Sequence, residues 1–439
     1  MTVKKFVLLL LCICSLLLLV GCGDSETEDT PTVGNKVTLN VYNWGEYISD
    51  GFQGSLDSNA AFEEYFNEHL AKKYGYYIEV NYSTYATNED MYSKLTSGAG
   101  IYDVIVPSDY MIDKLAKEGW LYAFDASTLS NYGNVYDSFK NEPYYDPQNL
   151  YSVPYTYGMV GVIYNTALVD EEDYSEQSWG LLWNEKYKGK ILQFNNPRDA
   201  FGSAMYYLGL DINTTDEAVW RRAQAKLSEQ KPLVQGYVND EIFNKMTTAS
   251  AAIAPYFVGD YITMSDQNED LDFFFPKEGT NYYVDAMCIP VNSTHKDAAK
   301  EYINFMLSEE VAIANALYIG YASPNRLVAE SEEYAEEMGE YAMNLLYGVS
   351  PDEINGNYNA LYGTASYKSF DPSTQALVNE LWEGLKTENS TELWVHISCG
   401  IIVAGVLSIA IYSTYIKKKR SRDYRLRDKN ARFVPKNVS

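Results

Sequence analysis

Two hydrophobic periodicities alternate along the middle of the chain. Val37, Leu39 and Val41 recur at every second residue over 37–42, and similar patterning predicts strands over Tyr77–Tyr82 and Met159–Tyr164. Asp103-Val-Ile-Val106 reads as a buried strand stopped by Pro107. Between these runs, Ser55–Lys73, Asn88–Leu95, Ile112–Lys117, Asp216–Gln230, Lys296–Leu307 and Glu309–Tyr318 read as helices. Thr294, with Asp297 three residues on, is a candidate cap for the helix that starts at Lys296. Strands separated by helices predict parallel pairing in α/β layers. In open α/β sheets ligands collect beyond the carboxyl ends of strands. That rule selects Tyr42–Tyr47 and Pro107–Tyr110, which both combine aromatic rings with an acid.

The two ends follow a different pattern. Lys4 and Lys5 precede an apolar run from Phe6 to Val20, the order of a secretory signal. Leu19-Val-Gly-Cys22 resembles the lipobox of bacterial lipoproteins, which implies a signal peptide over 1–22 and a lipid on Cys22. Polar, acidic residues 23–35 then form a tether. Near the other end Leu393–Ile416 holds one ionisable side chain, His396. At 1.5 Å per residue its length is about 36 Å, enough for a hydrocarbon core of about 30 Å. Lys417-Lys-Lys-Arg420 follows at once and predicts a cytoplasmic basic tail over 417–439. The expectation is a transmembrane helix over 393–416, with residues 23–392 outside. With the ends set aside, roughly 370 residues remain, enough for two domains.

Charge sharpens this picture. The formal net charge is −26, yet residues 23–416 carry 22 bases against 58 acids. A body so acidic repels phosphate backbones, which argues against a nucleic-acid partner and makes cationic ligands plausible. Cys288 alone among the five cysteines belongs to the globular part, so no disulfide forms within it.

The sequence supports no catalytic chemistry. Of three histidines, His396 lies in the apolar run, while His69 and His295 sit far apart in polar contexts. There is no His-Glu-x-x-His, Cys-x-x-Cys, Gly-x-Ser-x-Gly or phosphate-binding glycine loop. The expectation is a chain that is not an enzyme and holds no metal or cofactor.

Val41-Tyr-Asn-Trp-Gly-Glu-Tyr-Ile48 resembles the opening of the periplasmic spermidine/putrescine-binding proteins, receptors of polyamine ABC importers. The likeness continues in order through Ser83-Thr-Tyr85, Tyr102–Tyr110, Lys114–Gly119, Val153–Gly158, Pro276–Gly279, Tyr283-Val-Asp285 and Ile319–Asn325, and covers roughly residues 36–388. Ser49–Ala60 is longer than the family's first loop. The resemblance implies a type II periplasmic-binding-protein fold: two α/β lobes around a central cleft, from 36–158 with 281–330 and from 159–280 with 331–388. It also implies a polyamine ligand, a partner permease with its ATPase, and an extracytoplasmic location.

The family's pocket is an aromatic box capped by carboxylates, where methylenes lie on ring faces and ammonium ends meet anions. Carried over, Trp44 and Tyr47 come from the first loop, Ser108 and Tyr110 from the second with Asp109 as an added acid. Phe257, Tyr283 and Tyr321 supply further rings, and Asp285 grips an ammonium as an exposed cleft carboxylate. Two family acids align with Asn196 and Asp199. Asn196 accepts a hydrogen bond but brings no charge, which favours a diamine over spermidine. Other readings remain open: a receptor for agmatine or a quaternary amine, a ferric-ion receptor, or a membrane-tethered adhesin.

Overall fold

A computed structural model describes residues 34–348, 365–387 and 412. The lipobox cysteine Cys22 and nearly all of Leu393–Ile416 therefore lie outside the described residues. Among those described, no helix is long and apolar enough to cross a membrane.

Nine strands are described: β1 Asn35–Trp44, β2 Tyr76–Tyr85, β3 Val104–Ile105, β4 Ser152–Asn165, β5 Ile191–Phe194, β6 Val234–Val238, β7 Ile253–Phe257, β8 Leu271–Phe274 and β9 Tyr282–Cys288. They run side by side as β2-β1-β3-β9-β4-β7-β5-β6, and β8 also pairs with β4. The expected parallel pairing holds for β1 with β2 and β3, and for β5 with β6 and β7. It fails at the centre, where β4 is antiparallel to β7, β8 and β9. The periodic run at 159–164 is only the second half of β4. Ser152–Met159 pairs with β9, whereas Val160–Asn165 pairs with β7 and β8. One strand thus belongs to two sheet halves, and the chain forms two lobes that share it.

Close packing at this junction selects small residues. A Cβ on Gly161 would lie 2.2 Å from Phe273 Cζ and 2.6 Å from the Phe274 carbonyl oxygen, so only glycine fits between β4 and β8.

Helix starts follow local hydrogen-bond chemistry. Asp57, Thr87, Asp216 and Ser331 each accept a backbone N–H of the first turn. The predicted Ser55–Lys73 helix begins at Ser58 and passes through a wider turn at Phe66–Leu70 before ending at Tyr74. Thr294 does not cap the helix Lys296–Met306, whose flanking residue His295 makes no side-chain cap. Buried Asp103, at the start of the strand-forming run, instead orders the turn that precedes the helix. Its Oδ1 accepts the Thr294 and His295 amides at 3.2 Å and the Ser293 hydroxyl at 2.7 Å. A carboxylate on a separate element thus satisfies three donors of the turn before the helix.

In the second lobe, helices Pro197–Tyr207 and Pro372–Thr387 both pack on Glu217–Gln230. Trp220 lies at this junction, with ring centroids 5.2 Å from Phe201 and 5.4 Å from Phe370. The helix Glu332–Tyr347 touches Val258–Ser265 on one side and Glu309–Ile319 on the other, so it bridges the lobes. Cys288 is buried and free.

Trp220 is 1% exposed. Trp220→Ala should cost about 3–5 kcal/mol, the usual loss for a buried aromatic, read as a lower urea midpoint.

Candidate functional site

A cleft of about 930 Å³, open solvent included, is lined by residues from the ends of β1, β5, β7 and β9 and from the loops beyond them. Trp44, Tyr47, Ser108, Asp109, Tyr110, Asn196, Asp199, Phe257, Tyr283, Asp285 and Tyr321 all border it. Residues up to 277 positions apart in the sequence are thus brought to one wall system.

The first loop leaves β1 through Trp44, whose indole N–H donates to the Val106 carbonyl at 2.8 Å and whose ring packs 4.6 Å from Tyr85. Tyr47 is buried against Tyr155 and Tyr321 at centroid distances of 6.0 and 5.0 Å. Its hydroxyl donates to Asp285 Oδ2 at 2.6 Å and lies 2.5 Å from the Thr156 hydroxyl. The second loop is set by Asn88. Its amide nitrogen reaches the Ser108 hydroxyl at 3.0 Å and the Tyr110 hydroxyl at 3.1 Å. Rings then follow one another across the cleft: Tyr321 to Tyr283 at 6.4 Å, Tyr283 to Phe257 at 5.4 Å, and Phe257 to Phe194 at 5.4 Å. Tyr321 holds its place because Gly259 has no side chain; a Cβ there would lie 2.1 Å from Tyr321 Cδ2.

Two expectations about individual residues change. Asp285 is not an exposed carboxylate: it is 5% exposed, with Oδ2 held by Tyr47 and Oδ1 without a partner. Its position on β9, flanked by β4 and the second loop, removes it from water. Asn196 does not offer a free acceptor. It caps the helix Pro197–Tyr207, taking the Asp199 amide at 2.8 Å while its own amide donates to Asp199 Oδ2 at 2.9 Å. Both polar groups of its side chain are engaged within the protein.

Glu46, the acid of the first loop, also lines the cleft, and further lining residues that sequence reading did not single out include Glu89, Arg198, Asp240, Asp260 and Tyr367. Asp260 accepts the Tyr321 hydroxyl at 2.7 Å and follows Phe257 by three residues, so the strand-end rule applied to β7 could have found it. Tyr367 donates to Asp199 Oδ1 and to the Arg198 carbonyl at 3.1 Å each. Nothing local marks it, since it reaches the cleft only through the packing of the C-terminal segment. Arg198 is 3% exposed, lies over the rings of Phe370, Tyr367 and Tyr110 at 3.9, 4.3 and 5.3 Å, and leaves its Nε without a partner.

Burial governs the electrostatics. It pushes the Asp109 and Asp260 carboxyls up to about 8, and nearby acids add to each rise. It raises Asp199 and Asp285 to about 6, opposed at Asp285 by the nearby hydroxyls of Ser108 and Tyr47. Glu46 and Glu89 are also raised, chiefly by desolvation. Carboxyls in this state gain from a cation that supplies the charge compensation the protein withholds. Rings beside them accept methylenes and add cation–π attraction of about 0.5–2 kcal/mol. The arrangement suits a small, flexible cation with an apolar middle.

Comparison with known proteins agrees with this geometry. A family described as bacterial extracellular solute-binding protein matches residues 60–339. The spermidine/putrescine-binding periplasmic protein of Escherichia coli is 35% identical over 332 residues, covering 75% of this chain and 88% of that protein. A putrescine/cadaverine-binding protein of Pseudomonas aeruginosa is 28% identical over 297 residues, covering 65% of this chain and 79% of its own length. Among solved structures, a putative spermidine/putrescine ABC transporter protein from Listeria monocytogenes superposes with a TM-score of 0.67 at 31% identity, covering 80% of this chain and 98% of that one. The two lobes joined through a mixed sheet are accordingly those of the type II periplasmic-binding-protein fold, in a family of transport proteins and not of enzymes. The chain belongs to the bacterial extracellular solute-binding proteins, in the family of the spermidine/putrescine-binding periplasmic proteins.

Proposed function

We propose that this chain is the extracytoplasmic receptor of a polyamine ABC importer, capturing putrescine or spermidine in the cleft and delivering it to a permease with its ATPase. The observation that carries this reading is the buried Asp285. One of its oxygens has no partner, and the residue lines a cleft walled by Trp44, Tyr47, Tyr110, Phe257, Tyr283 and Tyr321. Asp109, Asp199 and Asp260 supply further anions, and Ser108 a hydroxyl. Such a buried carboxylate binds an ammonium because the cation replaces lost hydration with a charge-assisted hydrogen bond. Neutral Asn196 favours a diamine, since a third ammonium at that end would meet Asp199 alone.

In this reading one lobe comprises 36–158 and 281–330, the other 159–280 and 331–388, and closure about the shared β4 encloses the ligand. Cys22 carries a lipid, Leu393–Ile416 spans the membrane, and the basic tail lies on the cytoplasmic side. Both anchors rest on the sequence pattern. Held at both ends, the receptor stays close to the bilayer, which raises its effective concentration at a neighbouring permease.

Calorimetry with putrescine tests the site. Asp285→Asn should weaken binding at least about thirtyfold, as expected when one partner of a buried charge pair is removed; an affinity within threefold of the parent would refute the anchor. The same variant should gain stability relative to the parent as pH rises from about 4 through 6. The parent's carboxyl must ionise in a buried site over that range, so it binds more protons folded than unfolded and loses stability. Thermal melts of both proteins across that window, without ligand, read the difference.

Asn196→Asp should move relative affinity toward spermidine, because an aspartate oxygen would oppose Asp199 Oδ2 where the amide now donates at 2.9 Å, and the pair would demand a cation. Competition between the two amines measures the ratio, and an unmoved ratio removes Asn196 from specificity.

For the anchors, Cys22→Ala should leave the protein in the membrane fraction, whereas removing 393–439 as well should release it. Appearance of the single variant in the medium would contradict the span.

A further inference from the structure

Among the described residues that line the cleft, Arg198 is the one base against seven acids. It is 3% exposed, and no ion pair with it is found among the described residues. Its Nε has no partner, and the hydrogen bond from its Nη2 to Asn213 Oδ1 is long at 3.4 Å. Neighbouring Asp199 gives its oxygens to the Asn196 amide and the Tyr367 hydroxyl instead. Burial disfavours the guanidinium's charge, while Glu89 and Asp199 nearby favour it. A guanidinium holds its proton inside proteins, so the cleft carries a fixed positive charge.

Rings take the place of a counter-ion. The guanidinium carbon lies 3.9 Å from the ring centre of Phe370, 4.3 Å from that of Tyr367 and 5.3 Å from that of Tyr110. An aromatic cage of this kind receives a cation, and here the protein's own side chain fills it. Three separate parts of the chain build the cage. Tyr110 follows β3 and Arg198 follows β5, which lie on opposite sides of β4 in the strand order, while Tyr367 and Phe370 precede the helix Pro372–Thr387. That last segment is fastened on both sides. The Ser369 hydroxyl donates to the Asp113 carboxylate, on the helix that carries Tyr110. The Asn213 amide donates to the Ser366 carbonyl at 2.9 Å, and its oxygen accepts the Lys368 amide at 2.8 Å.

A cation held this firmly in a cleft that takes cations has a consequence for selection. Two like charges about 12 Å apart still disfavour each other about tenfold at the effective dielectric of a protein site. Every ammonium of a bound amine meets that repulsion, so a triamine incurs it once more than a diamine.

Resting on the polyamine reading above, we infer that Arg198 is a specificity residue: its guanidinium fills the cage of Tyr110, Tyr367 and Phe370 as a built-in cation and selects diamines against amines of higher charge. The selection comes from a repulsive element set among attractive ones. It is separate from the effect of Asn196, which withholds an attraction where Arg198 supplies a repulsion.

Calorimetric titration of the unaltered full chain, Arg198→Gln and Arg198→Lys with putrescine and with spermidine tests the assignment. Arg198→Gln should raise the ratio of spermidine to putrescine affinity about tenfold, whereas Arg198→Lys, which keeps the charge and loses the stacked plane, should hold it within about threefold of the parent. A role confined to packing would lower the melting temperature and leave the ratio alone. An unmoved ratio in Arg198→Gln overturns the inference and leaves the polyamine reading standing, as does an equal rise in both variants. A full chain that binds neither amine overturns both. Should Arg198→Gln fail to fold, the unaltered chain decides. Spermidine acetylated on its aminopropyl nitrogen keeps the chain and loses one charge, and it should bind at least as tightly as spermidine itself. Weaker binding of the acetylated amine overturns the inference.

Discussion

The hydroxyl of Tyr47 connects three parts of the chain that have no contact in sequence. It donates to Asp285 on β9 at 2.6 Å and touches Thr156 on β4 at 2.5 Å, while its ring packs on Tyr321 beyond the Glu309–Ile319 helix. The consequence is electrostatic as much as structural. With Oδ2 engaged and water excluded, the remaining oxygen of Asp285 is poorly solvated and without a partner. The same burial that positions the carboxylate raises its pKa, so precision and strain share one cause.

A second constraint lies in β4. Because its two halves pair with different partners, the lobes share a continuous strand instead of meeting only through loops. A shared strand of this kind is a connection about which two lobes can hinge. Glycine at 161 is required there by the contact with Phe273 and the Phe274 carbonyl, and not by any backbone twist.

The acidity of the body has a local counterpart in the cleft, where Glu46, Glu89, Asp109, Asp199, Asp240, Asp260 and Asp285 stand against Arg198. The arrangement is uneven. Arg198, spread over the rings of Phe370, Tyr367 and Tyr110, is the one basic residue among those that line the cleft.

Much of the fold is written locally. Alternation marks β1 and β2, helical spacing marks Glu217–Gln230, and strand ends followed by ring-and-acid loops point to Trp44, Tyr47 and Ser108–Tyr110 before any coordinates are known. The family likeness supplied Asn196, Asp199, Phe257, Tyr283, Asp285 and Tyr321, all of which border the cleft. Three-dimensional packing decided the rest. Asp103 ties down the turn before a helix almost two hundred residues away, because its strand begins where three donors of that turn meet. Asn196 was turned inward by the helix it begins, since a backbone N–H two or three residues on is a nearer partner than any ligand. Tyr367 and Arg198 entered the site through contacts with no short-range signature. The sequence determined which chemistry was available; burial, which depends on every element packing at once, decided which carboxylates were left without partners.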